Sequence, residues 1–291
     1  MKLKKIYGTI ALTMVLAACA EQATQNDSTV DPAEVSVESA VALISGINDE
    51  QAGSAFAVRT PVNWKQSIVL PQAFASNCLR AAYSPCVSGV RSAQYSSCSA
   101  GLGNYSMNGS VALSYSNLTC DLGSLGASVN RTYAVTVEGP RGGQLSVTSQ
   151  NRTDFNNQTY GGGGRLTTTA NGWNLEVLGK HKTLSYRGRA LFDVSIRTLS
   201  PIAVTGSLSR ASRNVNSGQL QVNHNLAKLT STITPQNLQW NNSCCHPISG
   251  SLAVSWTGSR TGSATVTFSS CGQAELSSNG QTQNITLSYC E

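Results

Sequence analysis

The chain's strongest constraint is a hydrophobic period of two. Tyr133, Val135 and Val137 alternate with Thr132, Ala134 and Thr136, and Ala190, Phe192, Val194 and Ile196 alternate with Leu191, Asp193, Ser195 and Arg197. Successive side chains of an extended strand point to opposite faces, so this spacing describes strands with one buried face. The pattern recurs in Trp173-Leu175-Val177, Leu220-Val222-His224-Leu226, Leu252-Val254-Trp256, Ala264-Val266-Phe268 and Ile285-Leu287-Tyr289. Asn108-Gly109, Asn171-Gly172 and Asn279-Gly280 accept the positive φ of two-residue hairpins, and Gly161 to Gly164, Gly142-Gly143 and Arg187-Gly188-Arg189 mark further turns. No helical crossover pattern separates the strands, which excludes a parallel sheet. The expected fold is all-β: long antiparallel strands in a sandwich, barrel or curved meander, with one short helix near the amino terminus.

Composition agrees with that class. Only 12% of the 291 residues are charged and 26 are Gly, which excludes a coiled coil and a charge-rich disordered chain.

Lys2, Lys4 and Lys5 precede an apolar run, Ile6 to Ala18, of 13 residues. A charged start and a short apolar run describe an export signal, and the run is too short to span a bilayer, where about 20 residues are needed. Residues 1–18 are therefore read as a signal peptide. The run ends in Leu16-Ala17-Ala18-Cys19, which resembles the lipobox of bacterial lipoproteins. The resemblance is confined to the signal segment and implies that Cys19 is acylated and becomes the first mature residue, holding the protein to the membrane by its acyl chains. Ala20, rather than Asp, after the Cys implies sorting to the outer membrane, on its periplasmic or surface face. Each buried acyl CH₂ strengthens attachment by about 0.8 kcal/mol, so several chains make a lasting anchor.

Residues 19–52 carry seven acids and no Lys or Arg. This stretch reads as an acidic tether. Asp31, Pro32 and Glu34 supply a helix start, and Val37, Val41 and Ile44 repeat at helical spacing, giving one short helix that ends near Gly46. From Gly53 to Glu291, 17 Lys and Arg face seven acids, a net charge of +10. Opposite halves of this kind associate with each other or leave the domain to an anionic partner.

Of the nine Cys, eight remain once Cys19 is set aside, an even number suited to disulfides in an exported protein. Cys78, Cys86, Cys98 and Cys120 form one group, and Cys244, Cys245, Cys271 and Cys290 another. Pairing within each group is the economical expectation, with Cys244 and Cys245 each reaching Cys271 or Cys290, because adjacent cysteines do not easily meet disulfide geometry. Cys244-Cys245-His246 also sets three metal-ligand types side by side, but zinc sites space their ligands more widely and neighbouring strand side chains diverge, so no metal is expected. His224, in phase with Leu220, Val222 and Leu226, is expected to face the core as a satisfied histidine.

The chain contains none of the motifs of the nucleophile elbow, S-x-x-K, H-E-x-x-H or P-loop classes, and no motif calls for a cofactor. Glu138, Asp154, Glu176, Asp193 and Glu275 are the carboxylates from which a carbohydrate-active hydrolase would draw its pair. Asp193 is accounted for more simply by pairing with Arg189 or Arg197 on its own strand face. The densest basic run, Lys180-His181-Lys182 with Arg187 and Arg189, and Arg165 across a hairpin, describes a candidate patch for anionic polysaccharide or lipid, or a strand edge guarded by charge. No aromatics interleave with these charges, so nucleic acid is not an expected partner. The resulting expectation is a non-enzymatic envelope structural or binding module. A lipid carrier or assembly factor with an apolar groove, and a carbohydrate-active hydrolase, are the alternatives.

Overall fold

The computed structural model describes residues 83–287, except 101–104, 140, 207–211, 242 and 245. The signal segment, Cys19, the tether with its helix, and Cys78, Cys245 and Cys290 lie outside the described residues. What is described is a succession of strands: β1 (Val90–Ala100), β2 (Tyr105–Tyr115), β3 (Ser128–Glu138), β4 (Gly143–Thr148), β5 (Arg152–Thr153), β6 (Thr159–Tyr160), β7 (Gly163–Thr169), β8 (Gly172–Tyr186), β9 (Arg189–Thr205), β10 (Asn214–His224), β11 (Leu229–Gln239), β12 (Ser249–Gly258), β13 (Gly262–Ser270), β14 (Gln273–Ser278) and β15 (Gln281–Thr286).

Thirteen of these strands form one antiparallel sheet whose order follows the chain, with β1 and β15 at its two edges. Of the all-β arrangements expected, the up-and-down meander is the one that forms. β4 and β7 share a single lane of it. β3 pairs β7 through Ser128–Arg131 and β4 through Ala134–Glu138, while β8 pairs β7 with its first half and β4 with its second. Residues 149–162, which connect β4 to β7, leave the sheet as an excursion that carries the small β5–β6 pair.

The alternation read from the sequence sets the two faces. Val135, Val147, Lys182, Val194, His224 and Leu229 form one row across β3, β4, β8, β9, β10 and β11. These lie on the inner face, which holds the buried core that includes Val111, Leu220, Ile233, Leu252 and Val266. The adjacent row, Ala134, Thr148, His181, Ser195, Asn223 and Thr230, lies on the outer face. Leu226 departs from the pattern, being exposed in the turn after β10.

Among the described residues, two disulfides close within the expected groups, Cys86–Cys120 and Cys244–Cys271, separated by 34 and 27 residues. Loops of that size are stabilised by roughly 3–4 kcal/mol in the chain-entropy model. Cys98 lies within β1.

Asn279-Gly280 and Arg187-Gly188 are hairpin turns with positive φ at both residues. Asn108-Gly109 is not a turn: it lies in the middle of β2, opposite an irregularity in β1 between Tyr95 and Cys98. There Asn108 accepts a hydrogen bond from the Ser97 backbone N–H at 2.8 Å. Gly109, at φ 127°, passes so close to β3 that a Cβ would lie 2.0 Å from the Ala134 carbonyl oxygen. The dipeptide's tolerance for unusual backbone therefore serves a kink rather than a reversal.

Ile233 is fully buried on the inner face, whereas Ser255 is exposed on the outer. Ile233→Ala is expected to lower unfolding free energy by about 2–5 kcal/mol and Ser255→Ala to change it by less than about 0.5 kcal/mol, measured by urea unfolding with disulfides intact.

Candidate functional site

The densest gathering of chemically active side chains lies under the excursion on the outer face. Its base is closed by hydrogen bonds from the Gly162 N–H to the Ser149 carbonyl at 2.7 Å and from the Ser149 N–H to the Tyr133 carbonyl at 2.8 Å. Gly161 then crosses β8 directly over Gly179, where a Cβ on Gly179 would meet the Gly161 backbone at 2.4 Å. No other residue pair permits so close a crossing.

Asp154 anchors the excursion. Its Oδ1 accepts from the backbone N–H groups of Asn156 at 2.8 Å and Gln158 at 2.9 Å, and its Oδ2 from Asn223 Nδ2 at 2.6 Å and the Tyr160 hydroxyl at 3.4 Å. Asn223 also donates to the Tyr160 oxygen at 2.7 Å and accepts from Thr230 at 2.8 Å. Alongside, Arg152 pairs with Asp193 and donates to Thr183 at 2.7 Å. Asn225 donates to Asp193 at 2.8 Å and to Ser195 at 3.0 Å. The partner of Asp193 is thus Arg152 from the excursion, not Arg189 or Arg197. Arg197 instead bonds Gln221 and Gln158 and lies 5.0 Å over the Tyr160 ring.

His181 holds the centre. Its Nε2 is 2.8 Å from the Tyr160 carbonyl, which only accepts, so Nε2 carries the proton and Nδ1 accepts from the Ser195 hydroxyl at 2.9 Å. Its ring also stacks on Tyr160 with centroids 5.4 Å apart. Burial holds its pKa below the ordinary histidine range, against the opposing pull of the Tyr160 carbonyl. A hydroxyl donating to an oriented imidazole is the geometry of a nucleophile and its base. Here, however, Ser195 and His181 are both 0% exposed, and the lone pairs of Asp154 and Asp193 are taken by donors of the same network. The arrangement fixes the excursion to the sheet, as a fully satisfied buried network does. The other three carboxylates stand apart: Glu176 beside Arg165 at 3.8 Å, Glu138 beside Gln144 at 3.1 Å, and Glu275 on the outer face of β14.

The basic run separates along the pleat. Lys180 and Lys182 are buried on the inner face, His181 is buried on the outer, and Arg165 bonds Asn130 at 3.0 Å and faces Glu176. Arg187 and Arg189 remain exposed at the β8–β9 turn. They are joined there by Arg141 of the β3–β4 turn, because the Arg187 N–H donates to the Gly142 carbonyl at 3.2 Å and sets the two turns side by side. Tyr186, 38% exposed, lies under the Arg187 guanidinium at 5.2 Å. Arg141 escaped the sequence reading, although Gly139-Pro140-Arg141-Gly142 carries a turn signal.

Of the three metal-ligand types read in sequence, Cys244 is spent in a disulfide. His224 is buried as expected but not satisfied, since its Nε2 has no hydrogen-bond partner among the described residues. Comparison with protein-family models, curated proteins and solved structures finds no match to this chain.

Asp154→Ala strands donors at a cost of roughly 1–3 kcal/mol each, so it is expected to lower stability well beyond Glu275→Ala and to admit protease cleavage within residues 149–162. The measurements are urea unfolding and mapping of the cleaved peptides.

Burial takes His224 down to about 4. A histidine depressed in the fold binds its proton more readily when unfolded. Its contribution to stability is therefore complete above its unfolded value near 6.5, and is lost as pH falls from there toward about 4. His181, displaced in the same direction, adds to the loss. The urea midpoint is expected to fall between about pH 7 and about pH 4.5, and His224→Leu to flatten that fall.

Proposed function

We propose that the chain is an outer-membrane lipoprotein, held by acyl chains on Cys19, that works as a non-enzymatic envelope module binding anionic polysaccharide or other anionic envelope polymers. The observation that carries this reading is the turn tip, where Arg141, Arg187 and Arg189 are all exposed beside a half-exposed Tyr186. Arginine presents a planar fork of donors that matches phosphate and carboxylate groups two oxygens at a time. The sealed network beneath the excursion supports the same reading, since its chemically active groups are engaged in holding the fold. Anchoring through Cys19 rests on the lipobox resemblance.

The expected outcome is retention of the protein on heparin or lipopolysaccharide at low salt and release at about 0.5 M, where charges more than about 4 Å apart are screened. Combined Arg141→Ala, Arg187→Ala and Arg189→Ala is expected to weaken retention at least about tenfold, while Lys180→Ala leaves it unchanged. No retention at low salt, or retention equal in the triple variant, would overturn the polymer reading. Incorporation of labelled palmitate, abolished by Cys19→Ala, tests the anchor separately.

A further inference from the structure

The arginine tip occupies one end of the sheet, and the opposite end carries exposed apolar side chains. There the chain enters β1 through a tight turn in which Val87 and Val90 exchange backbone hydrogen bonds at 3.0 and 2.9 Å. The turn is fastened to β2 and to the β2–β3 loop: the Tyr115 N–H donates to the Gly89 carbonyl at 2.8 Å, and the Cys86–Cys120 disulfide joins the two segments. The loop, residues 116–127, is tied in turn to β7. The Thr168 hydroxyl donates to the Leu122 carbonyl at 2.7 Å, and the Gly126 N–H to the Thr168 carbonyl at 2.9 Å. Within the loop, Asn117 Oδ1 accepts from the Asp121 N–H at 3.1 Å and Asp121 Oδ1 from the Gly123 N–H at 2.8 Å.

This well-tied backbone holds large apolar side chains out of the core. Leu118, Leu125 and Val87 are 75%, 74% and 68% exposed, the three highest values for large apolar side chains among the described residues, and Val90 is 44% exposed. Aliphatic surface in water is unfavourable in proportion to its area, and several such side chains at one place mark a surface that something apolar covers. Fraying does not account for their exposure, since hydrogen bonds and a disulfide fix the loop along its length.

Two observations choose the occupant. The patch is aliphatic and set among Ser116, Thr119, Gly123 and Ser124, whereas the energetic centres of protein interfaces concentrate Trp, Tyr and Arg, with Leu and Val under-represented. The described chain also begins at this end, at Tyr83 beside Arg91 of β1, so the connection back to Cys19 starts next to the patch. We propose that Val87, Val90, Leu118 and Leu125 form a lipid-contacting patch that enters the interfacial layer of a bilayer and seats this end of the domain on the membrane. The arginine tip, roughly 33 Å away along β3 at about 3.3 Å per residue, then faces away from the lipid. The choice of lipid rests on the reading of the chain as anchored through Cys19. Residues 116–127 carry one acid, Asp121, and no Lys or Arg, so apolar burial and not attraction to anionic headgroups drives the contact.

The test is flotation with phosphatidylcholine vesicles, which carry no net charge. The protein is the chain from residue 19 onward with Cys19→Ala, so that neither an acyl group nor the apolar signal run contributes. It is expected to float equally at about 0.05 M and about 0.5 M salt. Combined Leu118→Ser and Leu125→Ser is expected to lower the partition coefficient at least about tenfold while leaving the urea midpoint and retention on heparin unchanged, because both side chains lie outside the core. Leu226→Ser, in the β10–β11 turn, and the triple alanine variant of the arginine tip are expected to float as the parent does. No flotation of the parent, flotation equal in the double variant, or flotation abolished by salt would overturn the proposal. Self-association in sedimentation velocity, lost in the double variant and accompanied by no flotation, would overturn it in favour of a second copy of the chain. Because the protein is unacylated, failure here is distinguishable from failure of the anchor, which palmitate incorporation reads.

Discussion

The register of β8 against β9 and β10 is the constraint on which the rest of this structure depends. Because side chains alternate faces, one residue of slip would carry His181, Ser195 and Asn223 into the core and Val194 and Val222 out of it. Burial of the aliphatic row and hydrogen bonding of the polar row therefore specify the same pairing. The ordinary solvated face gives no such second vote, and here it is replaced by a network reaching from Asp154 to Thr230.

That commitment has an electrostatic side. The excursion brings Asp154 onto the outer face and pairs Arg152 with Asp193, so opposite charges meet there in hydrogen-bonding geometry. On the inner face, β8 carries Lys180 and Lys182, whose ammonium groups lie 5.8 Å and 5.6 Å from the centroids of the Tyr133 and Phe192 rings. The outer face holds both signs of charge in hydrogen-bonding register, while the inner face surrounds its cations with aromatic surface.

Much of the fold was legible in the sequence because it depends on a local rule. The alternation around Tyr133, Val194, Val254 and Val266 defined strands, and Arg187-Gly188 and Asn279-Gly280 defined hairpins, from residues close in the chain. Asn108-Gly109 misled because the same tolerance for positive φ serves a kink opposite an irregular strand. The excursion was not legible, since residues 149–162 have no period and the sheet partner of Asp154, Asn223, lies 69 residues along the chain. The basic run shows a different failure. Counting by twos puts Lys180 and Lys182 in phase with Leu184 and out of phase with His181, so the separation was present in the sequence, but hydrophilicity argued for a common surface. Which arginine would reach Asp193 depended on where the excursion folds, which no local pattern records.

The up-and-down connectivity bears on how such a chain takes shape during synthesis. Most strands find their neighbour within one hairpin, so little loop entropy must be overcome before pairing begins. A chain emerging amino end first can assemble β1 through β3 while the remainder is still being made. The lane shared by β4 and β7 behaves differently, because Asp154 waits for Asn223, 69 residues later, before it gains its sheet partner. A product interrupted ahead of β10 would thus own a partial sheet whose decorating loop is held by β8 and β9 but lacks its Asn223 anchor, a signature by which quality-control machinery can tell the unfinished molecule from the finished one.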